Sequence, residues 1–276
     1  MLKIRMINYF YLQLLIIFAV FNLGEVYGQG NRDFRVFDGL MIKDKPNLFL
    51  KSFSRINVIY EDSLTKYDSN YPKNLSKRII NNEKFNRSIK RANNNNYPIC
   101  LDVESWPLYE KDLDINLKKY SSLLSQFKNK SLNKNIGYFG VLPYGNVYKN
   151  DSRFNDIGNI SSIAYPVFYT KSENKKLWLN DVEKQLAIIK RNWPHLKVYA
   201  FIWPQYHTNN PKLKGKYISQ EMWNFQLEEL YKRCDGVVIW MPPFDYSNRK
   251  AINWDSSKPW YNTTLNFMKK RNIKGQ

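Results

Sequence analysis

The sequence predicts an α/β fold, a (β/α) barrel of the TIM type with seven or eight strands and an irregular outline, and two observations carry that reading. The first is a set of short apolar, β-rich runs at Phe34–Phe37, Arg55–Tyr60, Pro98–Val103, Ile136–Val141, Ile160–Tyr169, Lys197–Trp203 and Gly236–Met241. The second is that helix-compatible segments lie between several of these runs. Strands that alternate with helices build parallel sheets, and a stretch of about 245 residues is the size of one barrel. A doubly wound sheet is the alternative. No glycine-rich phosphate turn follows the first strand, which weakens any dinucleotide-binding reading.

The helical segments differ in clarity. Lys73–Ala92 mixes charged and apolar residues. Asp112–Phe127 places Leu113, Leu117, Tyr120, Leu124 and Phe127 three or four residues apart, the spacing of one helix face. Leu177–Trp193 does the same with Val182, Leu186 and Ile189 and stops before Pro194. Ser219–Arg233 opens on a serine suited to N-capping and continues through Phe225 and Leu230.

The N-terminus has the form of a secretory signal peptide over residues 1–29. Lys3 and Arg5 precede an apolar stretch, Tyr9 to Phe21, interrupted only by Gln13, and small polar residues follow through Gly28 and Gln29. That stretch falls short of the roughly 20 residues a membrane span needs, and no later run reaches it. The expectation is a secreted protein with one domain over 30–276 and no stable membrane span once the leader is cleaved.

Of the 276 residues, 43% are hydrophobic and 16% aromatic, too many for a disordered chain. Two cysteines exclude a disulfide-stapled mini-fold and a Cys-rich zinc module. Cys100 and Cys234 either pair after export or stay as two buried thiols. With His195 and His207 the only histidines, a His-based metal site is not expected, and no cofactor is implied. The formal net charge is +19, and 31 of the 43 basic residues are lysines. Residues 1–29 hold only Lys3, Arg5 and Glu25, so the basicity belongs to the domain. It reads either as attraction to a polyanion or as a solvated lysine-rich surface. The absence of a nucleic-acid motif argues against nucleic acid as the partner.

The sharpest chemical signal is Pro98-Ile99-Cys100-Leu101-Asp102-Val103-Glu104-Ser105-Trp106-Pro107. An apolar run ends in carboxylates at i and i+2, which project to one face of a strand. Barrel active sites form at such C-terminal strand ends, although two solvated loop carboxylates would leave the same trace. Unequal environments could push the pKa values apart and keep one group protonated. Other predicted strand ends are aromatic: Tyr138 and Phe139, Tyr165 and Tyr169, Trp203 and Tyr206, and Trp240, with Trp106 beside the acids. Such rings suit sugars, which offer apolar faces and polar edges, and they also fill barrel cores. His207 is read as a surface residue, with ligand contact as the alternative. His195 is read as structural, and two histidines without a nucleophile elbow argue against a Ser–His–Asp hydrolase.

In order along the chain, these segments resemble the animal and venom hyaluronidases, glycoside hydrolase family 56. The family's Asp-Trp-Glu-x-Trp-Arg-Pro is similar to Asp102-Val103-Glu104-Ser105-Trp106-Pro107. Its Gly-(Phe/Tyr)-Tyr-Gly strand resembles Gly137-Tyr138-Phe139-Gly140 with Pro143. Its Leu-Tyr-Pro-Ser-Ile-Tyr resembles Ala164-Tyr165-Pro166-Val167-Phe168-Tyr169, and its Gly-Val-Val-Leu-Trp resembles Gly236-Val237-Val238-Ile239-Trp240. Val198–Tyr206 and Asn57-Val58-Ile59-Tyr60-Glu61 follow two further strands. The resemblance implies hydrolysis of a polysaccharide containing N-acetylhexosamine, of the anionic glycosaminoglycan type, in which the substrate's own acetamido oxygen is the nucleophile. It implies Glu104 as general acid and base, Asp102 holding the acetamido group, Tyr169 donating a hydrogen bond to it, and Trp240 walling its pocket. The chain departs from the pattern at Val103, at Phe139, at Val167, in lacking the arginine after Trp106, and in lacking the family's cysteine framework. A glycan-binding barrel without turnover, or a glycosidase of another sugar class, are the competing readings.

Overall fold

Every one of the seven β-rich runs becomes a strand, because β-branched and aromatic residues pack well on both faces of a pleated backbone buried on each side. A computed structural model describes residues 33–143, 152–246 and 249–276. Phe34–Gln276 make one compact unit. The expected signal peptide therefore lies outside the described residues. Among the described residues no helix is long and apolar enough to cross a membrane.

In chain order the strands are β1 (Arg35–Leu40), β2 (Asn57–Tyr60), β3 (Thr65–Lys66), β4 (Ile79–Ile80), β5 (Ile99–Asp102), β6 (Ile136–Tyr138), β7 (Ile163–Ala164), β8 (Lys197–Ile202) and β9 (Gly236–Met241). The helices are α1 (Asn82–Ala92), α2 (Leu113–Lys130), α3 (Asn155–Ile160), α4 (Lys175–Asn192), α5 (Gln220–Arg233) and α6 (Pro259–Lys270). One sheet runs β1-β9-β8-β7 and a second β2-β5-β6, with every pairing in both parallel. Single parallel bridges link Phe37 of β1 to Ser54, ahead of β2, and Phe139, just after β6, to Tyr165, just after β7. Parallel sheets with helices between their strands make this an α/β fold.

Helix starts follow the caps written in the sequence. Ser219 Oγ accepts from the Met222 N–H at 3.2 Å, as its position suggested, and Asn81 and Asn174 cap α1 and α4 in the same way. The helix expected over Lys73–Ala92 is shorter than that. Only Asn82–Ala92 is α-helical, and the residues before it form a 3₁₀ turn and the antiparallel β3–β4 pair. Helix α6, with Pro259 in its first turn, had not been expected.

Alternation along the strands sorts side chains into two clusters. Val36, Ile99, Leu101, Ala200, Ile202, Val237 and Ile239 belong to the large cluster under the helices. Phe37, Cys100, Ile163, Tyr165, Tyr199, Phe201 and Val238 form a smaller one between the strands. Period-two geometry then dictates what comes next on that inner face at the C-terminal strand ends: Tyr60 after Val58, Asp102 after Cys100, Trp240 after Val238. Cys100 belongs to the inner cluster and Cys234 to the outer, and both are buried free thiols, so the disulfide alternative does not hold.

Gly137 marks a tight approach between strands. A Cβ at this position would sit 1.9 Å from the Ile163 carbonyl oxygen of β7. Gly137→Ala is expected to destabilise the fold by about 3 kcal/mol, read as a lower midpoint of urea unfolding, because backbone must shift to admit one methyl group.

Candidate active site

At the C-terminal strand ends a cavity of about 440 Å³ opens, a size suited to a small organic ligand. Asp102 and Glu104 lie in it, and the walls are largely aromatic, with Phe139, Tyr169, Trp203 and Trp240 contributed by four different strand ends. The Tyr169 and Trp240 rings stack with centroids 5.7 Å apart and an interplanar angle of 21°, while Trp203 meets Trp240 edge-on. Such an arrangement leaves ring faces turned toward one another and toward the cavity.

The two carboxyl groups share one polar environment unequally. Asp102 is the deeper, and burial, the neighbouring Glu104 and the nearby Glu61 push its pKa from 3.8 up to about 8. Glu104 is exposed at the cavity mouth and is also raised, first by its partial burial and then by Glu61. The hydrogen bond between them raises Asp102 and lowers Glu104, so Asp102 is the protonated donor and Glu104 the acceptor in the free protein. The pair thus holds one proton at neutral pH, and its titration belongs to both groups together.

Tyr169 faces this pair. Its hydroxyl is buried without a hydrogen-bond partner among the described residues. Burial, and then Asp102, Tyr60 and Glu104 among other neighbours, raise its pKa well above 10.0, so it remains a neutral donor. A buried donor with no partner is costly unless something that enters the cavity completes the bond. Tyr60, aligned with Asp102 across β2 and β5, accepts from Trp240 Nε1 at 3.2 Å and fixes the indole.

Several predicted contacts lie elsewhere. Tyr138 falls on the outer face of β6, and its hydroxyl donates to the Tyr120 carbonyl at 2.9 Å, so it braces α2 and does not reach the cavity. Tyr165 is on the inner face but a layer too deep, fully buried against Tyr199 and Phe201. Tyr206 is buried in the loop after β8, its backbone bonded to Lys216 and Gly215. Trp106 does contribute to the cavity wall, but from behind: it is buried, packs on Tyr120 and donates from Nε1 to the Arg78 carbonyl at 2.9 Å.

For His207 the alternative of a site contact is the one that fits: it stacks on Tyr169 at 5.8 Å and lines the cavity, and burial and then Lys171 lower its pKa. Two further residues were not foreseen. Tyr246 lines the cavity beside Trp203, and burial and then Glu104 and Asp102 raise its pKa. Glu61 approaches from the end of β2. Strand alternation alone could have found Tyr60; nothing local announces Tyr246, which arrives on the loop after β9. Among the described residues, no group of three or more His, Cys, Asp or Glu is arranged to hold a metal ion.

No family model matches this sequence. A comparison with curated proteins also finds no match. Among solved structures, bee venom hyaluronidase is similar with a TM-score of 0.57 and 12% identity, over 87% of this chain and 98% of that one. A structure of bee venom hyaluronidase in complex with a hyaluronic acid tetramer gives a TM-score of 0.56 and 11% identity, over 87% of this chain and 97% of that one. At such identities the likeness is one of fold.

The carboxyl pair has a consequence for stability. Because the folded pKa of Asp102 lies above the ordinary value, the native state binds more protons than the unfolded state between pH 3.8 and about 8. Stability therefore falls as pH rises through that window. Asp102→Asn, which stays neutral, is expected to gain thermal stability relative to the parent as pH rises from below 3.8 to above about 8. Differential scanning calorimetry across that range checks it, and a constant difference would contradict the protonation assigned to Asp102.

Proposed function

We propose that this protein is a hyaluronidase-like glycoside hydrolase, cleaving acidic polysaccharide that contains N-acetylhexosamine by a substrate-assisted retaining mechanism. The observation that carries the reading is the placement of Asp102 and Glu104, two residues apart at the end of one strand, inside an aromatic cavity. Two same-face carboxyls two residues apart cannot flank a scissile bond from opposite sides, so one of them must act with a nucleophile brought by the substrate. The bridges from β1 to Ser54, ahead of β2, and between the residues just after β6 and β7 support reading the fold as an irregular seven-stranded (β/α) barrel. The fold likeness to bee venom hyaluronidase and the ordered motifs support the substrate class, and the net charge of +19 suits a polyanion.

On this reading the pair's proton passes to Glu104 when substrate displaces the Asp102–Glu104 bond, and Asp102 turns to the acetamido N–H. Glu104 then donates the proton to the glycosidic oxygen as the C1–O bond breaks. The acetamido oxygen closes on C1 from the other face, giving a cyclic oxazolinium cation. The Asp102 carboxylate stabilises its positive charge, and Tyr169 supplies its unpartnered hydroxyl to the acetamido oxygen. Water next adds at C1, losing a proton to Glu104 as the ring reopens, so the anomeric configuration is retained. Trp240 and Trp203 pack against the sugar while this happens. The same reading has residues 1–29 direct the chain out of the cell.

Release of reducing ends from hyaluronan, chondroitin and chitin oligosaccharides tests the proposal. The expected outcome is hydrolysis of acetamido-bearing polymers by the parent and a loss of roughly 10³-fold in Glu104→Gln. Equal hydrolysis by both would overturn the mechanism. Tight oligosaccharide binding without product would instead favour a glycan-binding barrel, a reading that Phe139 supports because it brings no hydroxyl to the cavity wall.

A further inference from the structure

We propose that Glu61, anchored by the buried Arg78, is a positioning residue that sets both the place and the charge environment of Glu104. The inference rests on the reading of Glu104 as the proton donor. Glu61 follows directly after β2, beside β5 in the sheet, which brings it under the loop that carries Glu104. Its Oε2 accepts two backbone N–H groups of that loop, from Glu104 at 3.1 Å and from Ser105 at 2.9 Å. A carboxylate receiving two amides is a strong, directional anchor. It holds the backbone of Glu104 at the cavity mouth while leaving its side chain free to reach substrate.

Glu61 is held from its far side. Arg78, with only 6% of its side chain exposed, lies 3.8 Å from Glu61 Oε1. The same guanidinium donates to Asp62 Oδ1 at 2.6 Å and to Thr65 Oγ1 at 2.7 Å, which fixes its orientation. The Arg78 carbonyl meanwhile receives the Trp106 indole N–H at 2.9 Å. One residue therefore restrains the catalytic loop twice, through Glu61 at Glu104–Ser105 and directly at Trp106.

The groups around the pair leave Glu61 as the neighbour whose charge bears on both acids. Asp102 and Glu104 are faced by Tyr60 from β2, by Tyr169 from the segment after β7, by His207 after β8, by Tyr246 after β9 and by the Cys100 thiol below. The tyrosines and the thiol are held neutral by burial, and His207 is biased to its neutral form. Glu61 raises the pKa of Asp102 and of Glu104 alike, while Arg78 and Asp62 lie behind it. Its negative charge thus helps the pair to keep the proton that Glu104 donates.

Two variants separate the functions. Glu61→Gln keeps an acceptor oxygen for the two amides and removes the charge, so the alkaline limb of the kcat/KM profile is expected to move down by roughly one pH unit. Glu61→Ala removes the anchor as well, and kcat is expected to fall roughly 100-fold with KM changed by less than about threefold. A Glu61→Gln profile that superimposes on the parent's overturns the proposal. Carboxyl carbon NMR titration of Asp102 and Glu104 in the parent and in Glu61→Gln gives the same answer without turnover. Should the parent hydrolyse none of the polymers, a downward-shifted titration still supports the charge role and an unmoved one refutes it. Circular dichroism identifies any Glu61→Ala protein that fails to fold, in which case the near-isosteric Gln variant decides.

Discussion

Two carboxyl groups one strand repeat apart, in a cavity walled by indole and phenol rings, resist carrying two negative charges unless a positive charge comes between them. Water is too scarce around Asp102 to solvate a second negative charge beside Glu104, and the proton that remains between them is what makes the site capable of acid chemistry. Much of the surrounding structure serves that constraint. Parallel strands bring Tyr60 alongside Asp102, Tyr60 holds the Trp240 indole, and Trp240 stacks on Tyr169. The wall of the cavity is therefore tied to the strand that carries the acids.

The remaining problem is placement of a glutamate on an exposed loop. Glu104 lies two residues beyond the last residue of β5 and has no ladder to hold it. Its backbone is held by Glu61, the Trp106 indole two residues on by the Arg78 carbonyl, and the Tyr120 hydroxyl donates to the Val103 and Trp106 carbonyls from α2. The clamp draws on the segment before α1 and on α2, elements distant in sequence. Polar anchoring of this kind gives a loop the rigidity that strands supply by pairing.

The parallel α/β reading was legible because apolar runs and helical spacing are local properties. Leu113, Leu117, Tyr120, Leu124 and Phe127 are all buried on α2 as their spacing required, and the Ser219 cap forms. The expected helix falls short over residues 73–81 because Arg78 and Trp106 override weak helix propensity there, drawing the chain into a short antiparallel pair beside a buried guanidinium. The site was legible where alternation decides it: Asp102 and Trp240 continue inner-face positions of their strands. Tyr165 shows the limit of that rule, since it has the right face and the wrong height.

What the sequence by itself determined is the seven strands of the two parallel sheets, the alternation of faces along them, and the presence of two carboxyls at one strand end, all consequences of period-two and 3.6-residue geometry. Only the tertiary structure decided that Tyr138 braces a helix, that His207 and Tyr246 close the cavity, and that Glu61 and Arg78 support Glu104. Depth within the fold and contacts between distant segments depend on how strands stagger and loops close over them. No local pattern encodes those distances, because they are set by the packing of the whole chain at once.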